Sequence, residues 1–274
     1  MKQNYFIKIR LFLLTLLFVG IGSLSAQIGI NTTTPNGALD ISSSNSGVVF
    51  PRVALAATDQ ASPVLNPAGG TLIAGTTVFN TNETFTGTND VYIGKYYWNG
   101  SEWIAQFEKK QIEKFEQSTL DFRTYSNGNS VVYQNIPGLT GQTFTAKFTG
   151  TYRIDVQANY GAGYMNSPTS GRINVGTTEG YFDFTFNGTN NYIYAHSYSA
   201  YNRANSGSTI NYYGIWAQSS FKLYVDLVAG QSYNLNLSFD QFFAQHFVGS
   251  GDSGTGRGHV GYDIPCYVEF EFID

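Results

Sequence analysis

The sequence from position 152 reads Tyr152-Arg153-Ile154-Asp155-Val156-Gln157-Ala158-Asn159-Tyr160. Apolar side chains occupy every second position, and polar side chains occupy the positions between them. In a β-strand successive side chains point to opposite faces of the sheet. The pattern therefore predicts a strand with one buried face and one solvated face.

The same two-residue period returns four more times before the chain ends. The runs are Phe182 to Phe186, Phe221 to Leu227, Tyr233 to Phe239 and Cys266 to Phe272. Turn-forming segments separate them: Thr149-Gly150, Asn187-Gly188, Ala229-Gly230 and residues 249–258. Many short amphipathic strands with such turns predict an all-β fold, with a jelly-roll β-sandwich over residues 119–274.

Composition favours the same fold class. Aromatic residues make up 16% of the chain and charged residues 12%, against a typical charged content of about 25%. Tyr and Phe suit the half-buried surface of a sheet, and the 30 glycines suit many turns. Because Cys266 is the one cysteine, an intramolecular disulfide is excluded, and stability must come from a core, from assembly, or from both.

The N-terminus has the layout of a secretory signal peptide, in which basic residues precede an apolar run and a small-residue cleavage site. The basic residues are Lys2, Lys8 and Arg10, and the apolar run extends from Leu11 to Ile21. That run is much shorter than the ~20 residues of a spanning helix. We expect cleavage after Ala26, with a cut after Ser25 as the alternative. The chain would then be exported, secreted or on the outer cell surface, without a transmembrane segment.

The charge balance argues against nucleic acid as a partner. Residues 1–26 carry three of the 15 Lys and Arg residues and no Asp or Glu, so the mature chain has 12 basic against 19 acidic residues, a formal charge of −7. A protein that binds a phosphate backbone needs a clustered positive surface. The sequence offers none.

Four segments between residues 27 and 104 carry a first resemblance. They are Ile28-Gly29-Ile30-Asn31-Thr32-Thr33-Thr34-Pro35, Ala38-Leu39-Asp40-Ile41, Pro51-Arg52-Val53 and Gly94-Lys95-Tyr96-Tyr97-Trp98-Asn99-Gly100-Ser101-Glu102-Trp103. Together they resemble a leader module of surface proteins in Bacteroidetes-type bacteria. The resemblance implies an irregular, β-rich head or stalk module over residues 27–101 and is nearly silent about activity.

Residues 102–118 predict the one helix of the chain. Ile104, Phe107, Gln111, Phe115 and Ser118 recur at three- and four-residue steps, with Glu and Lys on the opposite face. A helix of about 16 residues is marginal alone in water. We expect a connector packed on a neighbouring strand, and a short coiled-coil neck is the alternative, which the polar Gln111 disfavours.

Residues 119–274 carry a second resemblance, to the jelly rolls of complement globular heads and of the tumour-necrosis-factor family. It rests on four segments: Phe144 to Tyr152 with its Gly-x-Tyr corner, Phe184 to Gly188, Phe221 to Leu237, and Tyr267 to Ile273. Members commonly have an acidic residue after the turn glycine, where this chain has Gln231. The resemblance implies a homotrimer, so the chain itself is the expected partner.

Three features invite a catalytic interpretation, and none completes a motif. Gly251-Asp252-Ser253-Gly254 resembles the nucleophile segment of chymotrypsin-like proteases, but no recognisable histidine motif lies upstream to supply a base. Residues 249–254 spell a dinucleotide pattern without the helix that must follow it. Cys266 is in register with Val268 and Phe270, which favours a buried apolar role over a reactive thiol. We therefore predict no catalytic residues and no enzyme.

Two aspartates near the glycine-rich loop, Asp252 and Asp263, are weak candidate ligands for calcium, which prefers oxygen ligands. No calcium-loop motif is present, so a plainly solvated loop competes with this interpretation, and no other cofactor is predicted. The three histidines have no zinc-ligand spacing. A hydrolase acting through Asp226, Asp240 and Asp263 is a further alternative. Paired carboxylates need a fixed separation that a sequence does not show, and acidic residues between apolar ones are typical of a solvated strand face.

The candidate binding residues lie between positions 190 and 218, where tyrosines stand among Asn and Ser. They are Tyr192, Tyr194, His196, Tyr198, Tyr212, Tyr213 and Trp216. Rigid rings supply contact area and short polar groups supply adaptable hydrogen bonds, which is typical of recognition surfaces. If the face is exposed it could bind a glycan or a protein. If it lies at a subunit interface it is packing, and the sequence leaves both open.

The sequence as a whole predicts an exported, non-enzymatic surface or secreted protein, a homotrimeric recognition or structural component. Its parts would be a signal peptide (1–26), a head or stalk module (27–101), a helical connector (102–118) and a jelly roll (119–274). A carbohydrate-binding adhesin that uses the tyrosine-rich face is the first alternative.

Overall fold

A computed structural model describes residues 27–204 and 210–274, so the predicted signal peptide lies outside the described residues. The chain divides into two compact units, the first ending at Phe50 and the second running Pro51–Asp274. Within the described ranges, no helix has the length and apolar character needed to cross a membrane.

The first unit contains two short parallel strands, β1 (Ile28–Ile30) and β2 (Leu39–Ile41). Ile28 lies opposite Leu39, and Ile30 lies opposite Ile41. Because side chains alternate along a strand, these four apolar residues share one face of the pair. All four are exposed, so the face has no covering layer within the described part of the first unit.

The second unit begins with a four-stranded sheet in the order β3-β4-β5-β6. Its strands are β3 (Arg52–Val53), β4 (Thr77–Asn80), β5 (Gly94–Trp98) and β6 (Trp103–Ala105). Trp98 and Trp103 pair across β5 and β6, with ring centroids 5.3 Å apart, over a small core of their own. The buried Asn80 amide satisfies the backbone around that core by accepting from the Leu55 N–H and donating to the Tyr92 carbonyl.

Twelve further strands build the sandwich. They are β7 (Ile112–Glu116), β8 (Phe122–Thr124), β9 (Gln134–Asn135), β10 (Gln142–Thr145), β11 (Gly150–Gly161), β12 (Ile173–Phe186), β13 (Thr189–Asn202), β14 (Ile210–Tyr212), β15 (Trp216–Leu227), β16 (Ser232–Gln241), β17 (Gly258–Val260) and β18 (Tyr267–Phe272). We call the sheet β10-β16-β12-β13-β14, with β9 beside β16, the β12 sheet. We call the sheet β7-β18-β11-β17-β8, with β15 beside β11, the β11 sheet.

The strand order is that of a jelly roll. From β10 onward the chain crosses from one sheet to the other five times, at the connections β10-β11, β11-β12, β14-β15, β15-β16 and β16-β17, while β12 and β13 form a hairpin. The crossings produce two four-stranded antiparallel layers, β10-β16-β12-β13 and β7-β18-β11-β15. Two such layers of four strands are the arrangement of a jelly roll built from two Greek keys. The predicted all-β jelly-roll sandwich, preceded by an irregular β-rich module, is confirmed.

The core lies between the two sheets and is built from the inward positions of the alternating runs. Tyr152, Phe239 and Phe270 are fully buried, and Leu223 of the edge strand β15 is partly buried against the same core. Phe144 of one sheet stacks on Phe270 of the other, with ring centroids 4.1 Å apart. The wet face predicted for 152–160 is also present, since Arg153, Asp155 and Gln157 are half-exposed.

The predicted helix over 102–118 is wrong. Residues 103–105 form β6, residues 112–116 form β7, and no α-helix occurs in the described ranges. β7 pairs with β18, which places the Phe115 ring 6.0 Å from the Phe270 ring. The Gln111 side chain accepts from the Lys147 N–H and the Tyr152 hydroxyl, each at 2.7 Å. These sheet contacts outweigh a helical preference that is marginal for so short a segment.

Candidate functional site

The outer face of the β12 sheet carries four of the predicted binding residues. Tyr192, Tyr194, His196 and Tyr198 alternate along β13 with inward residues, and all four are exposed. β13 pairs with β12 along its whole length but with β14 only at residues 200–202. The tyrosines are therefore at the surface of the single chain.

The other three predicted residues divide between two places. Tyr212 lies opposite Ala200 at the far end of the same face. Tyr213 stacks on Tyr164, with ring centroids 4.1 Å apart, and Trp216 donates its indole N–H to Asp263 at 3.1 Å, at one end of the β11 sheet. The chain passes from the β12 sheet to the β11 sheet between β14 and β15. The seven predicted binding residues are close in sequence, but they do not form a single site.

The face contains three aromatic residues that the sequence analysis missed: Tyr133, Tyr181 and Phe242. Tyr181 of β12 packs edge-on against Tyr194 and Phe242, and Tyr133 stacks on Tyr192 at 6.1 Å. Tyr181 could have been found, because it alternates with the inward Phe182 and so belongs to the opposite face. Tyr133 comes from the loop before β9, where no periodicity indicates its direction.

A carboxylate lies buried among these rings. Asp183 is opposite Tyr192 on the paired strand and is only 7% exposed. Its Oδ2 accepts from the Asn190 side chain at 2.6 Å, whereas its Oδ1 is buried and has no hydrogen-bond partner among the described residues. Burial, followed by the charge of Asp183, raises the pKa of Tyr133 to about 12.

A second carboxylate, Asp240 of β16, borders the same face. Its Oδ1 accepts from the Val132 N–H at 2.8 Å, and burial raises its pKa above the ordinary value. Beside it lies an open cavity of ≈ 380 Å³ between the loop 128–131 and residues 240–243. The face thus combines aromatic rings, two largely buried carboxylates and an adjoining cavity.

A separate cluster lies at one end of the β11 sheet. The buried His259 contacts Asp121 through Nδ1 at 2.5 Å, and the rings of Tyr213 and Tyr262 surround it. Burial, partly offset by Asp121, lowers the pKa of His259, which favours the neutral imidazole. No serine, threonine or cysteine partner is bonded to this pair within the described residues.

The weak calcium candidates gain no support. Asp263 accepts from Trp216, and Asp252 lies in the loop between two short 3₁₀ turns. Within residues 27–204 and 210–274, no group of three or more His, Cys, Asp or Glu could hold a metal ion. The hydrolase set is also dispersed, because Asp226 faces outward from the β11 sheet and Asp240 outward from the β12 sheet, with the core between them.

Cys266 lies directly before β18, and its side chain points into the core on the same side as Val268. It is fully buried, and burial raises the pKa of its thiol to about 12. The nucleophilic form of cysteine is the thiolate. The side chain is therefore an apolar core residue in this fold.

Comparison with known proteins gives one family and a set of distant structures. The family described as "Phage tail like trimerisation region" matches residues 29–121. No curated protein sequence matches the chain. The chain is similar to the globular domain of a zebrafish complement 1qA protein, at 12% identity over 61% of this chain and 98% of that chain, with a TM-score of 0.28.

Two other solved structures are also similar. One is Eiger, a TNF protein of S. frugiperda, at 12% identity over 61% of this chain and 94% of that chain, with a TM-score of 0.26. The other is the stem and receptor binding domain of the spike protein P1 of bacteriophage PM2, at 12% identity over 66% and 75%, with a TM-score of 0.21. Scores this low carry no argument, so the jelly-roll assignment rests on the strand order.

Proposed function

We propose that this chain is an exported, non-enzymatic protein that assembles as a homotrimer and serves as a structural or recognition component at the cell surface or in the medium. Export is supported by the basic and apolar pattern of residues 1–26. Assembly is supported by the match of residues 29–121 to a trimerisation family and by the surface described next.

The observation that carries the proposal is the apolar face of β1 and β2. Ile28, Ile30, Leu39 and Ile41 are between 40% and 59% exposed, and Gly29 and Asp40 occupy the opposite face. An isolated two-stranded sheet is marginally stable in water. A segment whose apolar side chains all face outward gains stability only when another surface covers them, and further copies of this chain provide one.

The free energy available from burying this face is too small to hold a trimer together by itself. Burying the exposed half of each of the four side chains contributes about 1 kcal/mol, or about 4 kcal/mol per chain. Association costs roughly 4–15 kcal/mol in lost translational and rotational freedom. A stable trimer therefore needs contacts from the second unit as well.

The edge strand β15 offers such contacts. β15 pairs with β11 on one side and has no strand partner on its other side within the described ranges. Its inward residues Phe221, Leu223 and Val225 are only partly buried at the margin of the core. Unpaired, partly apolar edges are surfaces that proteins cover in assemblies.

The test is the native mass of the purified mature protein. We expect three chains in light scattering and in native mass spectrometry. Replacing Ile28 and Ile30 together with Ser should lower the trimer fraction at least about tenfold at micromolar concentration, because apolar contact area is lost. Val175→Ser is the matched control, since Val175 is similarly exposed on β12. A wild-type monomer would refute the trimer, and equal losses in both variants would refute the role of the β1 and β2 face in it.

A further inference from the structure

The outer face of the β12 sheet presents an aromatic surface that nothing in the described chain covers. Tyr192 is 60% exposed, Tyr194 is also exposed, and both contact Tyr181. Tyr133 and Phe242 extend the surface to either side. Aromatic faces carry a negative quadrupole and attract cations, arginine above all. The rings therefore favour a positively charged ligand group over a negative one.

The Asp183 carboxylate adds to this preference for a positively charged ligand group. Its Oδ1 is buried without a donor among the described residues, although its Oδ2 is bonded to Asn190. A buried acceptor without a partner keeps the full cost of its desolvation, and that cost is larger when the group is charged. A ligand that brings an N–H donor and a positive charge removes that cost. The ion pairs of the described chain engage other carboxylates, namely Glu116, Glu271, Asp155 and Asp121.

The acidic groups are spaced for an extended chain. Glu179, Tyr181 and Asp183 alternate on the outer side of β12, and Asp240 lies opposite Tyr181 on β16. At about 3.3 Å per residue, Glu179 and Asp183 are about 13 Å apart along the strand. Side chains on one face of an extended peptide repeat at about 6.6 Å, so two arginines four residues apart match the two carboxylates.

We propose that this face binds an extended basic peptide segment of a partner protein, with an arginine guanidinium packed on the tyrosine rings and paired with Asp183. Guanidinium is planar, stacks on aromatic rings and pairs with carboxylates through two parallel hydrogen bonds, which an ammonium group does not do. Entry to Oδ1 requires the flanking rings to move aside. The Asp240 cavity receives the neighbouring side chain of the segment.

The experiment is fluorescence anisotropy with the full mature protein and a short labelled peptide that alternates arginine with serine. A peptide with citrulline in place of arginine tests the charge, since citrulline keeps the shape and loses the cation. Arginine amide tests whether a free small cation is enough. We expect the arginine peptide to bind at least about tenfold more tightly than either probe.

Two pairs of variants locate the binding. Asp183→Asn keeps the acceptor for Asn190 and should raise Kd at least about tenfold, whereas Asp226→Asn removes the same charge from the other sheet and should change it less than about threefold. Tyr192→Leu should weaken binding, whereas Tyr224→Leu should not, because Tyr224 is equally exposed on β15. Unchanged circular dichroism and elution volume establish that each variant is folded.

Several results would overturn the inference. They are no binding of the arginine peptide, equal binding of the citrulline peptide, and equal effects of Asp183→Asn and Asp226→Asn. A neutral oligosaccharide that binds in place of the peptide and loses affinity with Tyr192→Leu would make the face a glycan site. The inference rests on the recognition role proposed above, but the trimer is tested separately by mass, so either idea can fail alone.

Discussion

The first unit and the jelly roll use the same alternation of apolar and polar residues with opposite results. In β11 the apolar positions Tyr152, Ile154 and Val156 face a second sheet and are fully buried. In β1 and β2 the apolar positions are exposed, with no opposing layer in the described part of the first unit. Period alone therefore predicts which residues share a face. Whether that face is buried within one chain or between chains depends on the presence of a second layer.

The largest expected effect lies in the buried layer. Phe270→Ala removes a fully buried ring that stacks on Phe144, and we expect a loss of about 3–5 kcal/mol in the free energy of unfolding. Chemical denaturation followed by tryptophan fluorescence measures it. Phe243→Ala, at a half-exposed ring, should cost less than about 0.5 kcal/mol. Similar costs for both would mean that the core is placed wrongly.

A smaller effect is expected where the four-stranded sheet meets the jelly roll. Asp90 accepts from the Thr86 N–H at 2.7 Å and from the Thr149 hydroxyl at 2.7 Å. Burial alone would raise the pKa of Asp90, but hydrogen bonds from Thr86, Thr149, Gly87 and Thr84 outweigh it and hold the pKa below its ordinary value. Asp90→Asn should cost about 1–3 kcal/mol at neutral pH.

The pH dependence of that variant has a definite sign. A carboxylate whose pKa is lower in the folded state stabilises the fold above its unfolded pKa and loses that contribution as the pH falls through the folded value. The difference in unfolding free energy between wild type and Asp90→Asn should therefore shrink below about pH 4. A difference that stays constant from pH 7 to pH 3 would contradict the assignment.

The smallest expected effect lies on the solvated face of β11. Lys222 and Asp155 approach to 3.7 Å, and the Lys222 side chain is more than half exposed. An exposed pair of this kind contributes about 0–1 kcal/mol. A double-mutant cycle with Asp155→Asn and Lys222→Gln should give a coupling energy below about 0.5 kcal/mol, and lower still at high salt. A coupling energy above about 2 kcal/mol would mean that this face is covered in the assembled protein.

Much of the fold could be predicted because local alternation and burial agree. The alternating runs that contain Tyr152, Phe184, Leu237 and Phe270 all form strands of the two sheets, and their apolar side chains are buried in the core. The helix prediction failed because Phe107 and Phe115 follow a helical spacing by chance. Pairing with β18 and the hydrogen bonds of Gln111 involve residues far away in the sequence, and local pattern cannot show them.

The candidate site could be predicted only in part. Tyr192 and Tyr194 were found because they alternate with inward residues of their own strand. Asp183 and Tyr181 follow the same rule on β12, but their importance depends on the register with β13. Tyr133 is brought to the face by a loop, and Tyr213 is carried away from it by a change of sheet. These positions depend on tertiary structure. The sequence alone therefore predicts that an aromatic face exists, but it does not predict which residues form it.

The most direct test of the account is the reactivity of a thiol placed on the apolar face of the first unit. Cys266 is buried with a raised pKa, so an Ile30→Cys thiol should be the one that reacts in the native protein. We predict that iodoacetamide modifies it at least about tenfold more slowly than a Val175→Cys thiol, and that dilution into monomers removes the difference. Equal rates in the concentrated native protein would contradict the account.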